Sequence, residues 1–292
     1  MKPRTAAAAL LAIALVACAD APSGSAGTTS TPSIGAIAHP TGSDQIVLRV
    51  AFEGGFVPID FMLSSMPSVS LFGDGTIIAP GAQIDIYPGP ALPAIQQQHV
   101  TEAGLQAILQ GALDAGLDTD QDMTDLGSVG IADASTTVFT FDANGEQRTV
   151  RVYALGELGD RPPGMSQEEY HARSELQAFV EKLGRLDGWL PDGSIDAATP
   201  YEATSARLFV SDYAGDPSLH QQPIPWPLTQ PLSGTDASTE PGGYHCLVVD
   251  GADWTGALMP AAAAANQLTP WVSGGQRWSI LFRPLLPDEG GC

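Results

Sequence analysis

The sequence predicts an α+β fold, an antiparallel sheet built from β-hairpins with about three helices packed on one face. Three observations predict it. An Asp-Gly and an Asn-Gly pair each sit between apolar runs, the pattern of hairpin turns. Two long segments carry apolar residues at helical spacing behind a capping residue. A strand or hairpin followed by a helix recurs along the chain, with too little identity between the units to form a repeat.

The elements follow in order. Asp44 to Ala51 is a strand through Ile46, Val47, Leu48 and Val50, stopped by Gly54-Gly55. Asp74-Gly75 then turns a first hairpin. A two-residue loop there would pair Phe72 with Ile77 and Leu71 with Ile78. Val100 to Leu117 is a helix. Thr101 caps it, Glu102 suits its N-terminal dipole, Gly116 ends it, and Leu105, Ile108, Leu109, Ala112 and Leu113 form its stripe. Asn144-Gly145 turns a second hairpin, placing Phe139 opposite Val150 and Thr137 opposite Val152. Ser166 and Glu169 form a capping box. The helix they open carries Leu176, Phe179, Val180, Leu183 and Leu186 and ends near Gly188.

Ala206 to Val210 is a strand, and Gly215 to Gly243 a long loop around Pro-Ile-Pro-Trp-Pro. Tyr244 to Val249 and Arg277 to Phe282 are further strands. Between them Asp253 would cap a short Ala-rich helix, kinked or started late by Pro260. The ending, Phe282 to Glu289, reads as a packed extended strap held by prolines, with Arg283 free to pair with Asp288 or Glu289.

The N-terminus reads as an address. Lys2 and Arg4 precede an apolar run, Thr5 to Val16, which ends in Leu15-Val16-Ala17-Cys18. The run is too short for a bilayer core, which takes roughly 20 residues. It resembles the lipobox of bacterial lipoproteins, and the resemblance covers only this N-terminal segment. It implies lipidation: a diacylglyceryl group on the Cys18 thiol, cleavage before Cys18, and usually acylation of the new amino group. Several acyl chains would anchor the chain stably at the extracytoplasmic face of the cell membrane. Residues 1–17 would then be signal peptide and residues 18–44 a flexible tether of Ala, Ser, Thr, Gly and Pro. Residues 45–292 would be the α+β body, divisible into sub-lobes 45–200 and 201–292. That body resembles uncharacterised secreted bacterial lipoproteins, which implies no activity.

Charge narrows the function. The chain has 33 acidic and 12 basic residues, and cleavage would remove Lys2 and Arg4. Such a surface repels nucleic acid, so DNA and RNA are not expected partners. Lys182 is the one lysine left, inside a predicted helix, which argues against P-loop, Schiff-base and Ser-x-x-Lys chemistry. With Cys18 lipidated, Cys246 and Cys292 remain, and in an exported chain that even remainder suggests a disulfide. Closing that loop is worth about 4 kcal/mol in the chain-entropy model.

Catalytic patterns are largely missing. The chain has no Gly-x-Ser-x-Gly, His-Glu-x-x-His or Cys-x-x-Cys, and its histidines (39, 99, 171, 220 and 245) are not spaced as metal ligands. No cofactor is expected. Calcium would be sought at Asp118, Asp120, Asp122 and Asp125, but Met123 and Val129 stand where an EF-hand needs Gly and Glu. Trp226 is the best exposed candidate for a sugar platform, whereas Trp254, Trp271 and Trp278 read as core. The expected function is a non-catalytic binding or scaffold module of the cell envelope, with a protein or glycan partner. The alternatives are an envelope hydrolase acting on glycan or peptide and a calcium-dependent binding module. A cleft above about 300 Å³ with converging carboxylates or a Ser/His/Asp set would favour the hydrolase.

Overall fold

The Asn144-Gly145 turn closes as its composition requires, with both residues at positive φ (55° and 78°). It joins strands Thr136–Ala143 and Glu146–Tyr153 in the expected register, Phe139 facing Val150 and Thr137 facing Val152. This is seen in a computed structural model that describes residues 35–127, 130–232 and 239–292. The fold is α+β, with its strands in two sheets.

The first sheet contains β1 (Ile46–Glu53), β2 (Val69–Phe72), β3 (Thr76–Pro80), β4 (Ile95–His99), β5 (Gln121–Met123), β6 (Thr136–Ala143), β7 (Glu146–Tyr153) and β8 (Thr199–Pro200). Their order is β5-β7-β6-β1-β2-β3-β4-β8. The second contains β9 (Ser205–Asp212), β10 (Ile224–Pro225), β11 (Thr239–Glu240), β12 (Tyr244–Asp250), β13 (Trp271–Ser273) and β14 (Gln276–Pro284). Their order is β10-β13-β14-β9-β12-β11. The sheets are mixed, not purely antiparallel: β5 runs parallel to β7 and β10 parallel to β13. Both exceptions are short outer strands, three and two residues long. So few residues carry no legible alternation.

The helices are α1 (Ile59–Ser64), α2 (Glu102–Asp114), α3 (Gln167–Leu183) and α4 (Met259–Ala263). Thr101 caps α2 through the Gly104 N–H and Ser166 caps α3 through the Glu169 N–H. The second capped helix stops at Leu183, and a separate 3₁₀ turn follows at Leu186–Gly188. Both helices lay their stripes on one face of the first sheet. Leu105, Ile108, Leu109, Leu176 and Phe179 pack there with Leu48, Val50, Phe139, Phe141, Val150 and Val152. Arg173, 4% exposed, binds α3 to the strand ends by donating to the carbonyls of Tyr153 and Met123.

The first hairpin departs from its expected register. Leu71 faces Ile77, and Ser70 faces Ile78. The turn is Phe72–Gly75, closed by the Gly75 N–H on the Phe72 carbonyl, with Gly75 itself at φ +88°. Asp74-Gly75 is therefore not the central pair. Gly75 is the left-handed residue after a tight turn, as in a three-residue loop. Its backbone lies against Val100, where a Cβ would come within 2.4 Å of the carbonyl oxygen. The one-residue change sends Leu71 and Ile77 to the helix side, and Phe72 and Ile78 to the opposite face with Leu286.

The second sheet has its own core of Trp254, Trp271, Phe282, Leu208 and Val210. Here Asp253 caps no helix with its side chain. It opens a π-helical stretch, Asp253–Leu258, that runs into α4 with Pro260 in its first turn. Pro260 has no N–H for the usual i→i−4 bond, and a wider turn just before it accommodates the loss. Residues 37–44, assigned to the tether on composition, pack on the body: the compact unit starts at Ile37. The Ile37 backbone exchanges two hydrogen bonds with the Gln106 side chain, and the Asn144 N–H donates to the Ala38 carbonyl. His39 Nδ1 donates to the Pro40 carbonyl, with a side chain only 8% exposed. Among the described residues no helix is long and apolar enough to cross a membrane.

Candidate cleft on the first sheet

The helices cover only part of the first sheet. Across its helix-bearing face one register row reads Phe141, Leu48, Leu71, Ile77, Gln98. One step along, Phe139 faces Val50, Val50 faces Val69, and Ala79 faces Gln96. The side chains thus change from aromatic to aliphatic to small or polar as the sheet leaves the helices. Above the β3–β4 half lies a cleft of about 670 Å³.

Its floor is Val50, Val69, Ile77 and Ala79, and its far wall is the end of α3 with Val180, Leu183 and Leu186. Gln96 and Gln98 rise from β4, while Ile195, Asp196, Ala197 and Ala198 form the lip. That lip is held along β4 by the Asp196 N–H on the His99 carbonyl and by Gln98 Nε2 on the Asp196 carbonyl, at 2.9 and 3.1 Å. The small Ala79 gives depth, and the amides give donors and acceptors without charge.

At about 670 Å³ the cleft lies within the roughly 300–1,000 Å³ range of ligand sites. The lining includes Ser68, Arg185, Asp187 and Asp196 but no histidine. The Ser68 hydroxyl donates to the Val50 carbonyl at 3.0 Å and has no base beside it in the lining. Asp187 and Asp196 are both exposed.

The residues singled out by sequence lie elsewhere. Cys18 lies outside the described residues. Cys246 and Cys292 are bonded, with Cα atoms 5.8 Å apart, closing the end of the chain onto β12. Trp226 is not an exposed platform. It is 9% exposed, stacks edge-on against Trp271 at 6.1 Å, and donates its Nε1 to the Gln230 carbonyl. Pairing with β13 carries this stretch inward, the Ile224 N–H donating to the Pro270 carbonyl and the Trp226 N–H to the Val272 carbonyl, where composition alone reads as exposed.

The aspartate run is occupied by its own backbone. Asp120 accepts from the Thr149 N–H, Asp122 from the Thr124 N–H, and Asp125 from the Gly127 N–H. The hydroxyl and backbone of Thr124 hold the Asp122 carboxyl below the ordinary carboxylate range. Val129 lies outside the described residues. Among the described residues no group of three or more His, Cys, Asp or Glu is placed to hold a metal ion.

The strap divides its two acids. Arg283 takes Glu289 in a bidentate pair at 2.6 and 2.7 Å, while Asp288 crosses to Arg49 on β1 at 2.7 and 2.9 Å. Burial alone would raise the Glu289 carboxyl, but Arg283 and the Leu286 N–H outweigh it and hold it below the ordinary range. The cleft itself was not legible in sequence. Its β4 side, Ile-Gln-Gln-Gln-His, lacks alternation, and its lip is set by pairings distant in sequence, the Val100–Ile195 bridge and the bonds of Asp196 to His99 and Gln98. No protein-family model, curated protein or solved structure matches the chain.

Proposed function

We propose that the chain is a lipid-anchored cell-envelope protein that binds, without transforming, a ligand in the cleft on the first sheet. The observation that carries this reading is the cleft: a large opening with an apolar floor, two amides, and no nucleophile beside a base. The lipobox-like Leu15-Val16-Ala17-Cys18 supports the address, and the Cys246–Cys292 bond suits an oxidising compartment.

The lining favours a ligand with one apolar side and a hydrogen-bonding edge that meets Gln96, Gln98 and the charges of Arg185, Asp187 and Asp196. A peptide segment has this character. A glycan usually stacks on an aromatic ring, and the lining contains none.

Two experiments test the reading. Cys18→Ala should release the chain from the membrane fraction; retention there would remove the anchor. Soluble full-length Cys18→Ala chain titrated with a library of neutral peptides should give saturable shifts of amide resonances in residues 77–98 and 180–198. Ala79→Trp, which fills the cleft, should abolish them. Turnover of peptide or glycoside substrates that disappears in Asp187→Asn or Asp196→Asn would establish a hydrolase instead.

A further inference from the structure

We infer that the end of the first sheet opposite its hairpin turns is a docking surface for a basic, apolar-faced protein segment. The observation is a concentration of exposed hydrophobic side chains. Phe52, Phe56, Val57, Phe61 and Met62 are all exposed within eleven consecutive residues, Phe56 at 85%. Ile84, Ile86 and Tyr87 are exposed in a second short stretch, Tyr87 at 76%. Large exposed hydrophobics gathered in this way mark interaction sites, whereas scattered single ones do not.

Topology brings the two stretches to one end. The first belongs to the connection from β1 to β2, and the second to the connection from β3 to β4. These strands are successive antiparallel neighbours, with Val50 facing Val69 and Pro80 facing Ile95. Both connections therefore leave from the same end of the sheet. The Phe56 N–H bonds the Asp133 carbonyl just before β6, at that same end. Polar contacts from the second sheet fix the first connection without using its exposed apolar residues: Tyr244 Oη donates to Asp60, and Arg283 Nε donates to the Ser65 carbonyl. The exposed side chains are thus presented on an anchored segment.

Charge selects the occupant. Glu53, Asp60, Asp85 and Asp133 lie in or beside the two apolar stretches, and all are exposed. Glu53 pairs with Arg151 at 2.7 Å, and Asp60, Asp85 and Asp133 keep this end net negative. An anionic bilayer or a second copy of this chain would meet like charge. A basic segment with apolar side chains meets complementary charge and covers the aromatics. The position agrees. The chain enters the unit at Ile37, beside the Asn144 turn at the other end of the sheet, about 27 Å away along eight strand residues. The docking surface does not depend on the anchor of the proposed function.

The test uses full-length Cys18→Ala chain and three probes: a helical Leu/Lys peptide, its Leu/Glu counterpart, and vesicles of zwitterionic or anionic lipid. The Leu/Lys peptide should bind with micromolar Kd, weakening about tenfold between 50 and 300 mM salt. Phe56→Ser/Phe61→Ser should weaken it at least about tenfold, with unchanged melting, because both side chains are solvent-exposed. Equal binding by the double variant would show that acidity alone attracts the peptide, and would overturn the proposal. So would equal affinity for the Leu/Glu peptide, Phe56-dependent sedimentation with vesicles, or a concentration-dependent dimer abolished by the double variant.

Discussion

Arg173→Met measures how strongly α3 is tied to the first sheet. The arginine is buried, and its guanidinium donates to the Tyr153 carbonyl at 2.8 Å and to the Met123 carbonyl at 2.5 Å. Its Nε reaches Glu169 one turn back at 3.1 Å. Methionine keeps the stem and removes all three bonds. Two carbonyls then lose their donors at the ends of β5 and β7, at about 1–3 kcal/mol each. The apolar replacement returns about 1 kcal/mol of burial. The expected loss is about 1–5 kcal/mol, centred near 3. In urea melts, with an m-value on the order of 3 kcal/mol/M, the midpoint should fall by about 1 M. Arg173→Lys should fall between the two, since one ammonium does not reproduce a planar fork. A midpoint shift below about 0.3 M for Arg173→Met would refute the assignment of Arg173 as the tie.

Three further outcomes are expected. Glu289→Gln should cost about 3 kcal/mol at pH 7, because it leaves Arg283, 8% exposed at its side chain, without its carboxylate. The folded-state pKa of Glu289 is depressed, so its stabilisation is present above the unfolded value and lost as pH falls through the folded one. Wild-type and variant melting temperatures should therefore converge below about pH 4, and a constant gap would contradict the pairing. Trp226→Ala should cost about 3–5 kcal/mol in denaturant melts, as removal of a core aromatic does, whereas a solvent platform would cost almost nothing. Asp122→Asn should leave the melting temperature unmoved by millimolar Ca²⁺, as in the parent chain; a calcium-dependent rise in the parent would revive the metal reading of the aspartate run.

Local chemistry was legible wherever a single residue type imposes a conformation. Asn144-Gly145 needs two positive φ values and obtains them, so the β6–β7 register follows from the turn. Thr101 and Ser166 announce helix starts because orphan N–H groups require an acceptor. The same reasoning fails at Asp74-Gly75. There Gly75 is held against Val100 and Gly73 against Pro40, so contacts distant in sequence choose the turn. The cysteine pair was readable by elimination, but the partners of the strap acids were not: Asp288 chose Arg49, 239 residues away.

The sequence by itself determined the α+β class, the capped helices, the type I′ hairpin and the acidic balance, because each rests on neighbours in the chain or on composition alone. Only the tertiary structure decided that Trp226 is core, that residues 37–44 belong to the body, and that β4 lies uncovered beside the end of α3. Those outcomes depend on which surfaces remain once the helices have covered as much sheet as they can reach. The cleft is that remainder, and no local pattern in Ile95–His99 encodes the absence of a neighbour.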